Sequence, residues 1–432
     1  MAGAHGGSFS LKPPVALPGH QIKVLLLVSF AFFLAGYDIQ LLGFVLPYVS
    51  ADFGVPLGEE STIIMWARLG VLIAFPLAML ADRLGRRTLL LVTILGSALT
   101  TLATAFAQTS EQFIVLQGAV RMFGYAQDMV SIVVIAEEID DRARGWALGM
   151  LAALAAVGAA MASVVFATID IIPYGWRGLY VIGALPIFAI AWMWRTMPET
   201  RRFQEMQAGR ATGPKRSGLQ QGLANVQALM VTHGRRFWPL VAVTAPLSFG
   251  LTCAMVLLPN FLKSEVGVHA STVSLIFLGG GLIGLTGNFI AGRFADRRGR
   301  KPVFLIAVLA FLVAAPVLYM GPHNVILIGL LWGVMVFCFF ALEVVVGAWS
   351  SELFPTAQRS TASGARIAVN ILAGGAALLL QSKLYHVFGS AAPAISVLVP
   401  AVLIAALVAM LTIPETAGKT LEQIAAEGER KH

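Results

Sequence analysis

The chain has 432 residues, of which 58% are hydrophobic and only 12% charged. Its mean hydropathy is +0.81. Soluble domains carry about 25% charged residues, so this composition excludes a soluble protein and makes the lipid bilayer its principal surroundings. The formal net charge of +8 would suit nucleic acid, but the basic residues sit in short connections and one central segment, so no nucleic-acid partner is expected.

A bilayer crossing takes roughly 20 apolar residues in a helix. In chain order, such runs are predicted at 24–48, 61–80, 88–108, 112–137, 145–168, 177–197, 237–262, 271–292, 302–320, 324–351, 361–386 and 393–413. The expected class is therefore an all-α integral membrane protein with twelve transmembrane helices. Residues 1–22, rich in Gly, Pro and Ser, read as a flexible tail. An N-terminal bundle is expected over 23–197, a linker over 198–236, a C-terminal bundle over 237–413 and a second tail over 414–432.

Arg83, Arg86 and Arg87, then Arg142 and Arg144, then Arg293, Arg297, Arg298, Arg300 and Lys301 all fall between an even-numbered helix and the next odd one. By the positive-inside rule these connections are cytoplasmic, and so are both termini. The expected location is the cell membrane, the inner one in a bacterium. The first apolar run is longer than the core of a signal peptide, and more spans follow it. Cys253 and Cys338 both lie in predicted spans, so no disulfide framework is expected.

The chain repeats itself. "ADRLGRR" at 81–87 returns as "ADRRGRK" at 295–301, Glu137 with Arg144 returns as Glu352 with Arg359, and "PET" at 198 returns at 414. Three matches at nearly one spacing, about half the chain, indicate two six-helix halves.

These motifs resemble those of the major facilitator superfamily of secondary transporters, over nearly the whole chain. "AEEIDDRARG" at 136–145, "GWRGLYVIGALP" at 175–186, "SELFPTAQR" at 351–359 and "PETAGKTLEQI" at 414–424 are similar to signatures of its sugar-porter-like and aromatic-acid:proton symporter branches. The resemblance implies two pseudo-symmetric bundles and alternating access. Three positions depart from the pattern: Ala78 stands where the family has Gly, which the second copy keeps as Gly292. Asp140 stands where a Pro is usual, as at Pro355. Ala35 replaces the first acid of the Asp-Gly-x-Asp found in aromatic-acid symporters.

The same resemblance assigns a gate. In the first half it comprises Asp82, Arg83, Arg86, Arg87, Glu137 and Arg144, and in the second Asp296, Arg297, Arg300, Glu352 and Arg359. Gly85 lets the first loop reverse without a Cβ clash, and Asp82 is expected to meet the N–H groups at a helix start in the other half. The alternative is that these arginines only set topology. The twin loops favour an outward-open or occluded resting state.

Asp38 is an acid inside a span, where an ionised, unpaired carboxylate costs several kcal/mol. It lies about 15 Å from the outer end of helix 1, and Arg121 about 14 Å from that of helix 4, at 1.5 Å per residue. Proton-coupled relatives have an acid and an arginine at these places, which implies that Asp38 carries the proton and Arg121 retunes it. A static ion pair is the competing reading. Arg68, about 10 Å deep by the same rise, is a second guanidinium suited to a substrate carboxylate, unless it pairs with Glu59 or Glu60. Asp128 and Glu343 are equivalent in the two halves, and Arg366 comes near the depth of Glu343. They form either a buried bridge with a capped Asp128 or a second protonation site.

Helix 5 contains no Gln or Asn, and helix 7 lacks the paired Gln of the sugar branch, which argues against a hydroxyl-rich ligand. Arg68, Arg121, Phe249, Phe337 and Glu343 are the candidate substrate residues. The leading reading is proton-coupled symport of a small organic anion, an aromatic or other monocarboxylate. The alternatives are a proton-coupled exporter of amphipathic compounds and, from another class, a non-transporting nutrient receptor. No enzyme motif, metal-ligand spacing or phosphate-binding loop is found; a monomer with no cofactor and no metal, partnered by protons and a small anion, is expected.

Overall fold

The computed structural model describes residues 13–185, 187–196, 218–355 and 358–417. All regular structure among them is helical. Backbone polar groups have no water to bond in hydrocarbon, and an apolar chain satisfies them by forming helices. The first six spans are Gly19–Phe53, Glu60–Ala78, Arg86–Thr104, Ser110–Glu138, Arg144–Phe166 and the pair Trp176–Gly183 with Ile187–Thr196. The last six are Gly234–Ser264, Ala270–Arg298, Arg300–Met320, Val325–Glu352, Arg359–Phe388 and Ala391–Thr412. They are numbered spans 1 to 12 in that order.

Eleven of these helices are long and apolar enough to cross a membrane, and the split span 6 completes the twelve. The sequence predicted span 6 as one helix over 177–197. The chain instead turns at Ala184 and Leu185, just before Pro186, because a proline has no N–H and its ring collides with the preceding turn. Several spans also run further than predicted. Span 1 begins at Gly19 and span 8 reaches Arg298, since a helix need not stop where its apolar run does. Ends carry identifiable caps. Asn324 Oδ1 accepts from the N–H groups of Ile326 (2.9 Å) and Leu327 (3.3 Å), and Gly54 and Gly389 close spans 1 and 11 with φ of 65° and 72°.

Within the first half, span 1 packs on span 5 and span 2 on span 4; within the second, span 8 packs on span 10 and span 7 on span 11. Small residues set these distances. A Cβ at Gly158 would stand 1.8 Å from the carbonyl oxygen of Phe33, and one at Gly70 would stand 2.0 Å from that of Gly118. Backbones so close gain van der Waals contact that lipid cannot offer.

The halves meet along spans 2 and 11, 5 and 8, and 1 and the tail of span 7. Opposite the arginine-rich loops, the far end is shut. Ser61 Oγ donates to the Leu378 carbonyl (3.0 Å), the Lys263 ammonium sits 5.0 Å from the Tyr48 ring, and Phe44 meets Phe277 edge-on at 4.9 Å. With the arginine-rich end taken as cytoplasmic, the outward-open form among the two expected states is not the one this structure holds.

Candidate transport site

Span 1 carries Asp38 to mid-depth, where it is only 8% exposed. The close crossing of spans 1 and 5 holds this stretch: a Cβ at Gly36 would stand 2.0 Å from the Ala155 carbonyl oxygen. Tyr37 beside it donates to the Leu179 carbonyl (3.0 Å), which fixes the rotation of span 1. Asp38 Oδ2 accepts from Thr101 Oγ1 (3.1 Å). Its Oδ1 is buried and has no hydrogen-bond partner.

Asp38 and Arg121 line one narrow cleft, together with Ser97, Gln117, Gly124 and Tyr125. They do not form the ion pair that the sequence suggested, since no Asp38–Arg121 contact lies within 4.0 Å. Arg121 Nε is likewise buried without a partner. The acid is held by span 3 through Thr101, a hydroxyl that nothing in its apolar surroundings singled out. A carboxyl with one free oxygen and an arginine with a free N–H, in one cleft, have unspent bonding capacity for a proton and an anion.

Arg68 makes no ion pair with Glu59 or Glu60. Glu60 turns away and accepts from the Gly58 N–H (2.7 Å). Arg68 instead reaches span 11, where its Nη2 lies 3.2 Å from the place a Gly374 Cβ would take. It therefore stands at the boundary of the two halves. Phe249 and Phe337 are half-buried and pack on the large apolar core to which both halves contribute; neither lines the Asp38 cleft.

Glu343 and Arg366 form a salt bridge of 3.0 Å, the bridge expected from their depths. Asp128 is not capped, because its Oδ1 is buried without a hydrogen-bond partner. Arg121, Tyr125 and Asp128 follow at helical spacing along one face of span 4, so the face that lines the cleft continues towards the arginine-rich end.

At that end the duplicated motifs build duplicated contacts. Arg86 Nη2 lies 3.3 Å from Glu137 Oε1, with both side chains under 10% exposed, and Arg87 donates to the Trp194 carbonyl. In the second half Arg300 pairs with Glu352, and with Asp296 at 3.6 Å. The motif glycines Gly85 and Gly299 have φ of 97° and 105°, a region that a Cβ disfavours. Two expected gate members behave otherwise. Arg144 pairs with Asp141 (2.6 Å) rather than with Glu137, and Arg359 Nε donates to the Phe354 carbonyl (3.2 Å). Arg297 is exposed. The side chains of Asp82 and Arg83 lie outside the described residues.

Glu415, in the second "PET", is a structural member that the repeat alone marked. Its carboxylate accepts from the N–H groups of Arg300 (2.9 Å) and Lys301 (3.1 Å) and from those of Thr416 and Ala417. It thus caps the start of span 9, where the helix dipole favours an anion. Burial alone would push its pKa up; the four N–H donors outweigh this and hold the carboxyl below the usual glutamate range. A lowered folded pKa means that the stability is present above the unfolded pKa and is lost as pH falls through the lowered one. Glu415→Gln is accordingly expected to cost about 1 kcal/mol, read as a lower Tm of the purified protein at neutral pH. The gap to wild type should close in acid.

Comparison with known proteins agrees with this architecture. The family model described as Major Facilitator Superfamily matches residues 28–247 and 240–432. A putative metabolite transport protein of Haemophilus influenzae is 28% identical, over 93% of this chain and 98% of its own length. The cis,cis-muconate transport protein of Acinetobacter baylyi is 26% identical over 83% and 86%. The gallate transporter of Pseudomonas putida is 25% identical over 81% and 85%. Among solved structures, the xylose transporter of E. coli in an inward open conformation superposes with a TM-score of 0.72 at 19% identity, over 94% of this chain and 99% of that one. With its twelve spans, its two related halves and a family match along almost all its length, the chain belongs to the major facilitator superfamily and is a multi-pass membrane transport protein.

Proposed function

We propose that the protein is a proton-coupled symporter of a small organic anion with an apolar or aromatic body. The observation that carries this reading is Asp38, a buried carboxyl with one unpartnered oxygen, in the same cleft as Arg121. An acid that no cation locks, held by the Thr101 hydroxyl with the Ser97 hydroxyl in the same cleft, is poised to take or lose a proton. Arg121, not locked to it, is available to an anion. The relatives named for muconate and gallate transport support a carboxylate substrate, and the scarcity of amide side chains in spans 5 and 7 disfavours a sugar.

On this reading the arginine-rich end and both termini face the cytoplasm, and residues 198–236 link two bundles that rock about the midplane. The contacts of Arg86 with Glu137 and of Arg300 with Glu352 brace each bundle where the gate opens. Asp128, further along span 4, is the next acid on the way to the cytoplasm.

The test is uptake into liposomes. Aromatic and aliphatic carboxylates, several sugars and several lipophilic cations are supplied with and without an inward proton gradient. A carboxylate that accumulates only with the gradient supports symport; movement of cations in exchange for protons sinks it in favour of export. Arg68 provides a second check. A guanidinium that holds a carboxylate contributes about 1.5–3 kcal/mol, so Arg68→Gln is expected to raise KM for the anion tenfold to a hundredfold while leaving kcat nearly unchanged. An unchanged KM removes Arg68 from the substrate site.

A further inference from the structure

The two halves carry an acid at equivalent places, and only one of the two has a partner. Glu343 on span 10 is bridged by Arg366 at 3.0 Å. The spacing that takes Asp128 to Glu343 also takes Leu151 to Arg366, so the first half has a leucine where the second has its cation. Leu151 is 1% exposed, in an apolar cluster with Ala31, Val130 and Val134. Asp128 is half-buried, and its Oδ1 is enclosed with no hydrogen-bond partner.

The neighbouring residue sets its level in the membrane. Gln127 Nε2 donates to the Ala31 carbonyl (2.8 Å), and Ala31 precedes Asp38 by two turns of span 1, about 10 Å. Asp128 therefore stands closer than Asp38 to the arginine-rich end, on the face of span 4 that begins with Arg121 and Tyr125 in the Asp38 cleft. Ile132, one turn further along that face, is 47% exposed. The face thus runs from a narrow cleft out to the surface.

No cation neutralises Asp128 among the described residues. Spans 1, 2, 3 and 5 pack on span 4, and none places a basic group within 4.0 Å of its carboxylate. His20 and Lys23 of span 1 lie two turns or more beyond Ala31, and Asp52 and Glu60 stand at the far end. Arg68 of span 2 reaches Gly374. Arg86 and Arg87 of span 3 are taken by Glu137 and the Trp194 carbonyl, and Arg144 of span 5 by Asp141. On span 4 itself Arg121 is seven residues back, about 10 Å.

We propose that Asp128 is the relay through which the proton of Asp38 leaves on the arginine-rich side, an inference that rests on the symport reading. As the cleft opens there, the Asp38 O–H gives its proton, by way of the Tyr125 hydroxyl and water, to the Asp128 carboxylate, which passes it to bulk water. Asp38 is left ionised, Asp128 returns to its starting charge, and nothing is consumed. A cation in the place of Leu151 would hold the carboxylate ionised and take it out of the path.

Two measurements on the full chain test this. In nanodiscs, infrared difference spectra between acid and alkaline buffer should show the C=O stretch of protonated carboxyls, and Asp38→Asn and Asp128→Asn should each remove a separate part of it. In liposomes with an inward proton gradient and labelled benzoate and cis,cis-muconate as probes, Asp128→Asn should slow uptake at least tenfold. The accumulation finally reached, and the exchange of labelled for unlabelled probe, should keep their wild-type values, because neither needs a fast proton exit. The relay is overturned if Asp128→Asn leaves the spectrum or the uptake rate unchanged, if it lowers the final accumulation, or if it stops exchange. Should Asp128→Asn not fold, Leu151→Arg decides: by supplying the missing bridge it should slow uptake in the same way, and an unchanged rate overturns the proposal. Absence of gradient-driven uptake in the wild type would sink the symport reading and the relay with it, whereas normal uptake in Asp128→Asn sinks the relay alone.

Discussion

Asp38→Asn is expected to abolish gradient-driven accumulation while leaving exchange of labelled for unlabelled substrate near the wild-type rate. The amide keeps the shape of the acid and still accepts from Thr101, so span 1 keeps its packing. What it lacks is a proton to release. With one proton carried per substrate, an inward gradient of one pH unit sustains up to about tenfold accumulation; in the variant the ratio should fall to one. The pH dependence of uptake should flatten with it. The measurement is a pair of liposome assays on one preparation, uphill uptake and equilibrium exchange. Loss of both would place Asp38 in substrate binding or folding, and retention of both would make it a structural acid.

Gly158→Leu should be the most damaging change away from the cleft. Its Cβ would be placed 1.8 Å from the Phe33 carbonyl oxygen, on a rigid backbone rather than at the tip of a flexible side chain. Spans 1 and 5 would have to move apart by more than an ångström along their tightest crossing. Overpacking of this kind costs about 3 kcal/mol or more, a large part of the net stability of a folded protein. The expected result is loss of the monodisperse peak in size exclusion. Gly149→Ala on the same helix, with nothing within 4 Å of its Cβ, is the control and should gain about 0.5–1 kcal/mol. A well-folded Gly158→Leu would mean that the crossing is looser than these distances imply.

Much of this fold was legible because hydrocarbon leaves a chain few choices. Twelve apolar runs became twelve spans, and the duplicated loops became duplicated contacts, down to the matching φ of Gly85 and Gly299. The sixth span was misread as continuous because its hydropathy does not fall at the break; only the proline marks it. The site was legible in its charges and not in its contacts. Asp38 and Arg121 were assigned to one layer by depth, and the structure puts them in one cleft. Depth says nothing of helix rotation, and rotation gave Asp38 to Thr101. Arg68 was ambiguous for the same reason, since two partners at similar depth differ only in azimuth. Glu415 looked like one letter of a repeat, because a cap made between a tail and a helix start over a hundred residues away leaves no local pattern.

The duplicated loops share a sequence but not an environment. Arg86 and Glu137 meet where both are under 10% exposed, whereas Asp296, on Arg300, is 74% exposed and Glu352 24%. Mobile ions screen exposed charges, with a Debye length of about 8 Å at physiological ionic strength that shortens as salt rises, and reach buried pairs much less. The two halves therefore differ in their sensitivity to salt. Rising ionic strength slackens the brace of the second half while that of the first holds, so the medium itself biases which bundle yields first.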